Sequence, residues 1–248
     1  MVGGLLVRGM LVGLVAGTLA FGVARLFGEP QVDRAIAFED QMRQAKGEAP
    51  EPVLVSRRIQ AGIGLFTGVV VYAVALGGLF ALVFAAAYCR IATLSPRATA
   101  AVLALAGFLV VVVVPALKYP PNPPSIGDPA TIGRRTALYF TMIALSLASA
   151  VAAIGWAQRL VRRFGAWNGI VAALAGFVVA VTVVQYLLPT VDEVPQHFSA
   201  AVLWRFRLAS LGIEAVIWAT LGIGFGIAAD RLLAASRSRL SRGRPATR

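Results

Sequence analysis

The sequence has few of the residues on which many enzymes and secreted proteins depend. It contains one cysteine and one histidine in 248 residues, and only 14% of its residues are charged, against about 25% in a typical soluble domain. A single cysteine excludes a disulfide framework and zinc sites built from paired cysteines. The chain also has no Walker A, HExxH or GxSxG motif. ATP hydrolysis by the chain itself and two common hydrolase chemistries are therefore excluded.

Long apolar runs are what the sequence has in abundance, since 58% of its residues are hydrophobic. A helix needs about 20 mostly apolar residues to cross a bilayer. Six runs meet this requirement, at residues 5–27, 59–88, 98–117, 137–157, 169–188 and 208–229. The predicted fold is all-α: a polytopic membrane helix bundle of about six transmembrane helices, in which residues 1–235 form a single membrane domain.

Small residues and arginines recur along these runs. Glycines spaced four apart, which let helices approach closely in lipid, occur in the first, second and sixth runs: Gly9, Gly13 and Gly17; Gly64 and Gly68; Gly222 and Gly226. Arg135 and Arg207 lie 72 residues apart, as do Arg159 and Arg231. This spacing fits three helix-hairpin repeats of like orientation, although any chain with six spans can be divided into three hairpins.

Charge is distributed unequally between two sets of loops. The long loops, residues 28–58, 118–136 and 189–207, hold nine of the eleven carboxylates, whereas the short loops and chain ends are basic. Basic segments usually stay in the cytoplasm, so both termini are predicted to be cytoplasmic and the long loops to lie outside. We expect residues 28–58 to form an outer polar loop with a short surface helix. Residues 236–248 should form a disordered basic cytoplasmic tail that contacts anionic membrane lipid; without interleaved aromatics, nucleic acid is not an expected partner.

Two of the long loops carry polar residues that could bind a metal ion. The proline-rich loop, residues 118–129, restricts the backbone around its polar side chains. The histidine loop, residues 188–198, holds the only histidine beside two carboxylates, and these groups suit a divalent transition-metal ion. The candidate metal ligands are Asn122, Asp128, Asp192, Glu193 and His197. We predict that the two loops meet. The alternatives are that the proline-rich loop is only a rigid connector and that the lone histidine is not a ligand.

One further carboxylate lies inside an apolar run. Glu214 is six residues beyond Leu208, and a charge near the membrane centre costs at least about 2.5–3.5 kcal/mol. Such residues usually have a partner and a function, so Glu214 is the sixth candidate metal residue. Pairing with Arg207, or with Gln185 of another helix, is the structural alternative.

The loop motifs resemble those of the CbtA family, predicted subunits of bacterial cobalt transporters. The resemblance rests on RGM at 8–10, FGEPQVDRAI at 27–36, LKYP, NPP and GDP within 117–129, LP and EVP within 188–195, and LW and FR within 203–207. It extends over residues 8–233. It implies a bacterial inner-membrane protein for cobalt uptake that supports cobalamin synthesis. It also implies a small one-span CbtB subunit as the partner that supplies most metal-binding histidines.

The leading hypothesis is a permease subunit, not an enzyme, for a divalent transition-metal cation. Outer carboxylates would concentrate the cation, and Co²⁺ would be transported rather than held as a permanent cofactor. Two alternatives stay open: a membrane scaffold for a metal-binding partner, and a membrane enzyme that acts on an anionic lipid. The enzyme should show a lateral opening lined by Arg135, Arg205 and Arg207. A homo-oligomer is compatible with each hypothesis.

Overall fold

The structure is a computed structural model that describes residues 2–49, 54–88, 90, 94–124 and 126–242. These residues form no β-strand, and six helices are long and apolar enough to cross a membrane. The prediction of an all-α membrane protein with six spans is therefore confirmed. The helices are α1 Val2–Lys46, α2 Arg57–Ala87, α3 Pro96–Lys118, α4 Pro129–Phe164, α5 Ala166–Leu187 and α6 Ala200–Ser236.

The first and last helices are longer than the sequence predicted. The surface helix expected after the first span is a direct continuation of α1, joined to it by a π-helical turn at Ala24–Gly28. The wider turn accommodates Pro30, which has no N–H to donate. At the other end, the helical backbone continues to Arg242, so residues 236–242 of the predicted disordered tail are helical. This segment has neither glycine nor proline before Gly243; residues 243–248 lie outside the described residues.

The chain forms two compact units. Unit 1 consists of Met1–Pro30, Ala49–Gly107 and Leu208–Arg248, and unit 2 of Gln31–Glu48 and Phe108–Arg207. The chain passes from one unit into the other within α1, α3 and α6. A single membrane domain over residues 1–235 stays a prediction.

Glycines bring α1 and α2 of unit 1 into backbone contact. A Cβ added to Gly9 would lie 2.2 Å from the carbonyl oxygen of Gly77, and one added to Gly13 would lie 2.4 Å from that of Ala73. Gly17 approaches the backbone of Val70 in the same way, at 2.7 Å. Only glycine fits such positions, so the packing role predicted for the first run is confirmed.

The other two glycine pairs have different outcomes. Gly222 and Gly226 of α6 pack against α3, where an added Cβ would lie 2.8 Å from Ala104 and 3.2 Å from Ala100 respectively. In the second run, Gly68 has no neighbour within 4 Å among the described residues, and Gly64 meets only its own helix. The packing prediction was therefore wrong for this pair: Gly77, 13 and 9 residues further along α2, makes the close contact instead.

Unit 2 is built on α4, α5 and the second half of α3. Val114, Met142 and Val181, one from each helix, form a buried cluster. Ser146 is fully buried and donates a hydrogen bond of 2.8 Å to the carbonyl oxygen of Val110. Val110 lies in the π-helical turn Phe108–Val113, where the regular helical bonding is interrupted. The serine therefore supplies a donor where the helix itself is irregular.

Helix pairing only partly follows the predicted hairpins. The pairs α1–α2 and α3–α4 pack together as hairpins should, but α4–α5 and α3–α6 also pack, and these are not hairpin pairs. The three-hairpin repeat thus stays a prediction for the last pair of helices.

Candidate functional site

The proline-rich loop and the histidine loop of unit 2 are in direct contact. The hydroxyl of Tyr119 donates to the carbonyl oxygen of Pro189 at 2.8 Å. Ile126 and Phe198 are buried in one cluster with Ala35, and Phe38 meets Phe198 edge to face with 5.2 Å between ring centroids. The prediction that the two loops meet is therefore confirmed, and the helix after Pro30 contributes to their junction.

Glu193 accepts hydrogen bonds at the centre of this junction. Its Oε2 accepts from the backbone N–H of Asp128 at 3.0 Å and from the Thr131 hydroxyl at 2.8 Å. The guanidinium of Arg135 lies 3.3 Å away, as an ion pair. The Thr131 hydrogen bond is the main reason that the pKa of Glu193 lies below its ordinary value of 4.5. Desolvation opposes this shift, while the Asp128 N–H and the charges of Arg135 and Arg134 add to it.

Asp128 has a structural role at the start of α4. Its Oδ1 accepts a hydrogen bond of 2.8 Å from the N–H of Ala130, which caps the 3₁₀ turn Pro129–Thr131. The preceding Gly127 has a φ of +115°, and a Cβ there would lie 2.7 Å from the guanidinium of Arg135. The same guanidinium donates to the carbonyl oxygen of Asp128 at 3.2 Å. Arg135 thus ties both loops to α4.

The remaining predicted ligands of the two loops are not gathered at this point. Asn122 accepts a hydrogen bond of 3.0 Å from Arg207, which also donates to the carbonyl oxygen of Pro121 at 3.4 Å. Asp192 and His197 are exposed, and Asp192 is close enough to Arg207 for electrostatic attraction. Within the described residues, no three His, Cys, Asp or Glu side chains form a group that could hold a metal ion. Joint metal binding by the five loop residues stays a prediction.

Glu214 lies in unit 1 in a different setting. It is half-buried, and its Oε2 accepts a long hydrogen bond of 3.4 Å from the hydroxyl of Tyr72 on α2. One turn further along α6, the ring of Trp218 fills the space beside Gly107, where a Cβ would lie 2.2 Å from it. The Trp218 indole N–H is close to the Glu214 carboxyl but has no hydrogen-bond partner with acceptable geometry in the described chain.

The two residues considered as structural partners of Glu214, Arg207 and Gln185, form hydrogen bonds with other groups. Arg207 donates to Asn122 and Pro121, and Gln185 donates to the carbonyl oxygen of Val114 at 3.3 Å. No arginine or lysine forms an ion pair with Glu214 in the part of the chain that the structure describes. Its polar neighbours are neutral donors.

Unit 1 also contains a buried ion pair that was not predicted from the sequence. Glu29 is only 6% exposed and pairs with Arg57 at the start of α2. Both residues adjoin irregular helix, since Glu29 follows the π-helical turn of α1 and Arg57 precedes the turn Gln60–Gly64. A Cβ added to Gly28, the residue before Glu29, would lie 3.9 Å from the side chain of Ile213, the residue before Glu214. The residues next to the two acids are therefore close to van der Waals contact. Glu29 belongs to the motif FGEPQVDRAI, but we assigned that segment to an outer polar loop with a short surface helix and did not predict its burial.

Comparison with known proteins agrees with the resemblance of the loop motifs. The model of a family described as probable cobalt transporter subunit (CbtA) matches residues 2–230, which is most of the chain. No curated protein and no solved structure matches the chain.

Proposed function

The chain belongs to the CbtA family of probable cobalt transporter subunits, and from this premise we propose that it forms the membrane path of a cobalt importer. Co²⁺ would cross as a transported substrate, and its uptake would supply cobalamin synthesis. Because the family is one of transporter subunits, the complete transporter would contain a second subunit. We propose that the partner is a small one-span CbtB-like protein. Its histidines would provide most of the imidazole metal ligands, because this chain has a single histidine.

The observation that carries the proposal is the setting of Glu214. An ionisable group within a membrane helix is expensive and usually marks a substrate or ion path. Glu214 has a neutral hydroxyl at 3.4 Å and no basic partner in the described chain. A divalent cation that passes Glu214 would be attracted by a carboxylate that no arginine neutralises in the described chain. The buried Trp218 N–H beside it could donate to a water molecule of the cation's hydration shell.

The unequal distribution of charge supports an inner-membrane location with both termini in the cytoplasm. The last part of α1, from Glu29 onward, and the loops that follow α1, α3 and α5 together hold nine of the eleven carboxylates. On the outer face these carboxylates would raise the local concentration of cations. The test is a cysteine introduced at Glu48 in a Cys89→Ser background. It should react in intact cells with a thiol reagent that cannot cross the membrane. Labelling only after permeabilisation would reverse the orientation.

A scaffold that only holds a metal-binding partner is the second candidate. The loops favour this candidate, because Asn122, Asp128 and Glu193 accept hydrogen bonds from neighbouring residues. In the described chain, their oxygens do not surround a common point at which a metal ion could bind. The lipid-enzyme hypothesis has less support, because Arg135 and Arg207 hold loops in place. A homo-oligomer is compatible with both transport and scaffolding.

Reconstitution separates the two candidates. The purified chain is placed in vesicles with and without the small partner, and cobalt entry is followed with an enclosed metal-quenched dye. We expect entry above that of empty vesicles, and loss of entry in Glu214→Gln but not in the control Glu39→Gln, which removes a half-buried carboxylate that is paired with Arg43. A scaffold would support partner-dependent entry that is equal in both variants. Absence of cobalt entry in every reconstituted set would overturn the transport proposal.

A further inference from the structure

The turn between α4 and α5 in unit 2 has a fixed backbone. Gly165 has a φ of +82°, a left-handed conformation that side-chain-bearing residues rarely adopt, and its N–H donates to the carbonyl oxygen of Val161 at 3.0 Å. One turn into α5, a Cβ on Gly169 would lie only 2.4 Å from the backbone nitrogen of Val161. The two helices therefore touch directly beside the turn, and the last residues of α4 have little freedom to move.

Three arginines project from this fixed end of α4. Arg159, Arg162 and Arg163 are all exposed, and their spacing of three and four residues places Arg159 beside both of the others on the helix surface. We call them, with Gly165, the arginine turn. Arg163 lies over the ring of Phe164 at 5.2 Å from its centroid, which leaves its guanidinium edge available for hydrogen bonds.

No carboxylate neutralises the arginine turn in the described chain. The sequence has no aspartate or glutamate between Asp128 and Asp192, so neither α4 nor α5 can supply one from its helical body. None of the three arginines forms an ion pair with the described residues. A different arginine, Arg97 in unit 1, shows the contrast, because it pairs with Asp230 at 2.8 Å. The arginine turn therefore presents three uncompensated charges within five residues.

The length of α5 sets the level of this turn in the membrane. Its 22 residues span about 33 Å at 1.5 Å per residue, close to the roughly 30 Å of the hydrocarbon core. The first turn of α5 must then lie near the boundary between acyl chains and headgroups. Trp167, in that first turn, is 80% exposed, as is typical of aromatic residues at membrane interfaces. The arginines precede this turn on α4, so their long side chains extend from near this boundary toward the lipid phosphates.

We propose that the arginine turn is a binding site for the headgroup phosphate of an anionic phospholipid. Guanidinium groups pair with phosphate oxygens through two parallel hydrogen bonds, and the backbone of the turn brings three of them within reach of the phosphate layer. Attraction between basic residues and the partial negative charge of a helix C-terminus also favours arginine here. That attraction would not distinguish one lipid from another. Three uncompensated guanidiniums would instead favour phosphatidylglycerol, because its phosphate charge is not balanced by a cationic group as it is in phosphatidylcholine.

The test measures lipid retained by the purified protein, using native mass spectrometry with phosphatidylglycerol and phosphatidylcholine as the probes. One variant carries Arg159→Gln, Arg162→Gln and Arg163→Gln. The matched control carries Arg58→Gln, Arg90→Gln and Arg205→Gln, which removes the same charge from exposed positions elsewhere. We expect the preference for phosphatidylglycerol to fall on the order of tenfold or more in the first variant and to persist in the control. Equal losses in both variants, or no loss in either, would overturn the proposal.

Two further measurements keep the result interpretable. Replacement of the three arginines by lysine retains the charge but not the paired hydrogen bonds, so the lipid preference should fall less than in the glutamine variant. This comparison stays usable even if the glutamine variant folds poorly. Millimolar inorganic phosphate should not displace the bound lipid, because the acyl chains hold the headgroup at the site. Displacement by phosphate would show that the turn binds free anions instead. Retention of an acidic protein in place of lipid would also contradict the proposal. Neither measurement depends on cobalt transport, so the lipid site and the transport proposal can fail separately.

Discussion

Glu193 in unit 2 and Glu214 in unit 1 are separated by only 21 positions in the sequence, yet their surroundings differ in kind. Glu193 accepts two hydrogen bonds, from Asp128 and Thr131, and has the guanidinium of Arg135 at 3.3 Å. Glu214 has one long hydrogen bond from a neutral tyrosine and a nearby indole N–H without a partner. Three donor groups thus converge on one oxygen of the first carboxylate, Oε2, whereas the second has no comparable set of donors in the described chain.

The difference indicates which acids are available to a passing cation. A carboxylate already satisfied by fixed donors must lose those contacts before it can bind a metal, and that loss subtracts from metal affinity. A carboxylate with weak neutral partners loses little and gains charge compensation. The loop acids therefore fit a structural role, while the acid inside α6 fits a cation path. Each prediction below tests one side of this contrast.

The largest effect should follow removal of the Glu214 charge. Glu214→Gln keeps the size of the side chain and its capacity for hydrogen bonding, so the amount of folded protein in the membrane should stay near that of the original chain. Cobalt entry into reconstituted vesicles should fall at least about tenfold, which corresponds to ~1.4 kcal/mol of barrier. The control Glu39→Gln should transport normally.

The double variant Arg207→Gln with Glu214→Gln tests the structural alternative. Arg207 donates to Asn122 and Pro121, so its removal should not repair any defect of Glu214→Gln. Recovery of both protein abundance and uptake in the double variant would mean that the two charges compensate each other. The contrast between Glu193 and Glu214 would then disappear.

The sequence predicted the helices well because length and hydropathy determine them. Six apolar runs became six helices, and the spacing of Gly9, Gly13 and Gly17 predicted a close helix contact that the structure contains. The partner of that contact was not predictable in the same way. Gly64 and Gly68 have the same spacing as the three glycines of α1 that contact α2. Which face of a helix meets a neighbour, however, depends on tertiary packing.

The candidate site was predictable only in part. The chemistry of Asn122, Asp128 and Glu193 was visible in the sequence, and so was the meeting of their loops. What could not be seen is that Arg207 occupies the side-chain oxygen of Asn122 and that Arg135 pairs with Glu193. These contacts join residues 85 and 58 positions apart in the chain. The burial of Glu29 was missed for a similar reason: a continuous helix through Pro30 requires a π-helical turn that no sequence pattern indicated.

The second largest effect should come from a change at Glu29. This change tests whether the role of an acid depends on its charged partner or on the unit in which it lies. Glu29 lies in unit 1, as Glu214 does, but it has a charged partner in Arg57. Glu29→Gln should therefore lower stability by roughly 1–3 kcal/mol, less than a fully buried pair because Arg57 is one-third exposed. Unfolding followed by tryptophan fluorescence measures this loss.

The double variant Glu29→Gln with Arg57→Gln provides the control for this prediction. Removal of both charges should recover part of the lost stability, and the recovery is partial because Arg57 makes further interactions. If Glu29→Gln instead folded normally and lost cobalt entry, the buried pair would belong to the cation path. The distinction between paired and unpaired acids would then be wrong.

A smaller effect should follow removal of the Tyr72 hydroxyl, which contacts Glu214. Tyr72→Phe deletes a hydrogen bond of 3.4 Å, which lies beyond the usual distance range and should contribute less than about 1 kcal/mol. Cobalt entry should change by roughly two- to threefold at most. Tyr186→Phe, at an exposed position of α5, is the matched control. A complete loss of entry in Tyr72→Phe would show that the hydroxyl, rather than the carboxylate alone, is essential for the path.

The smallest effect should be the dependence of the loop junction on acid, because Glu193 is partly exposed and its charge is screened by water. The hydrogen bonds from Thr131 and Asp128, with Arg135, hold the pKa of Glu193 below its ordinary value of 4.5. A lowered pKa in the folded state means that ionised Glu193 stabilises the fold above pH 4.5. This stabilisation is lost as the pH falls through the lower, native pKa. The thermal midpoint of the original chain should therefore exceed that of Glu193→Gln at neutral pH, and the gap should close at pH values below 4.5. A gap that stays constant through this range would show that the hydrogen bonds hold the loops without the charge, and Glu193 would then differ from Glu214 in geometry alone.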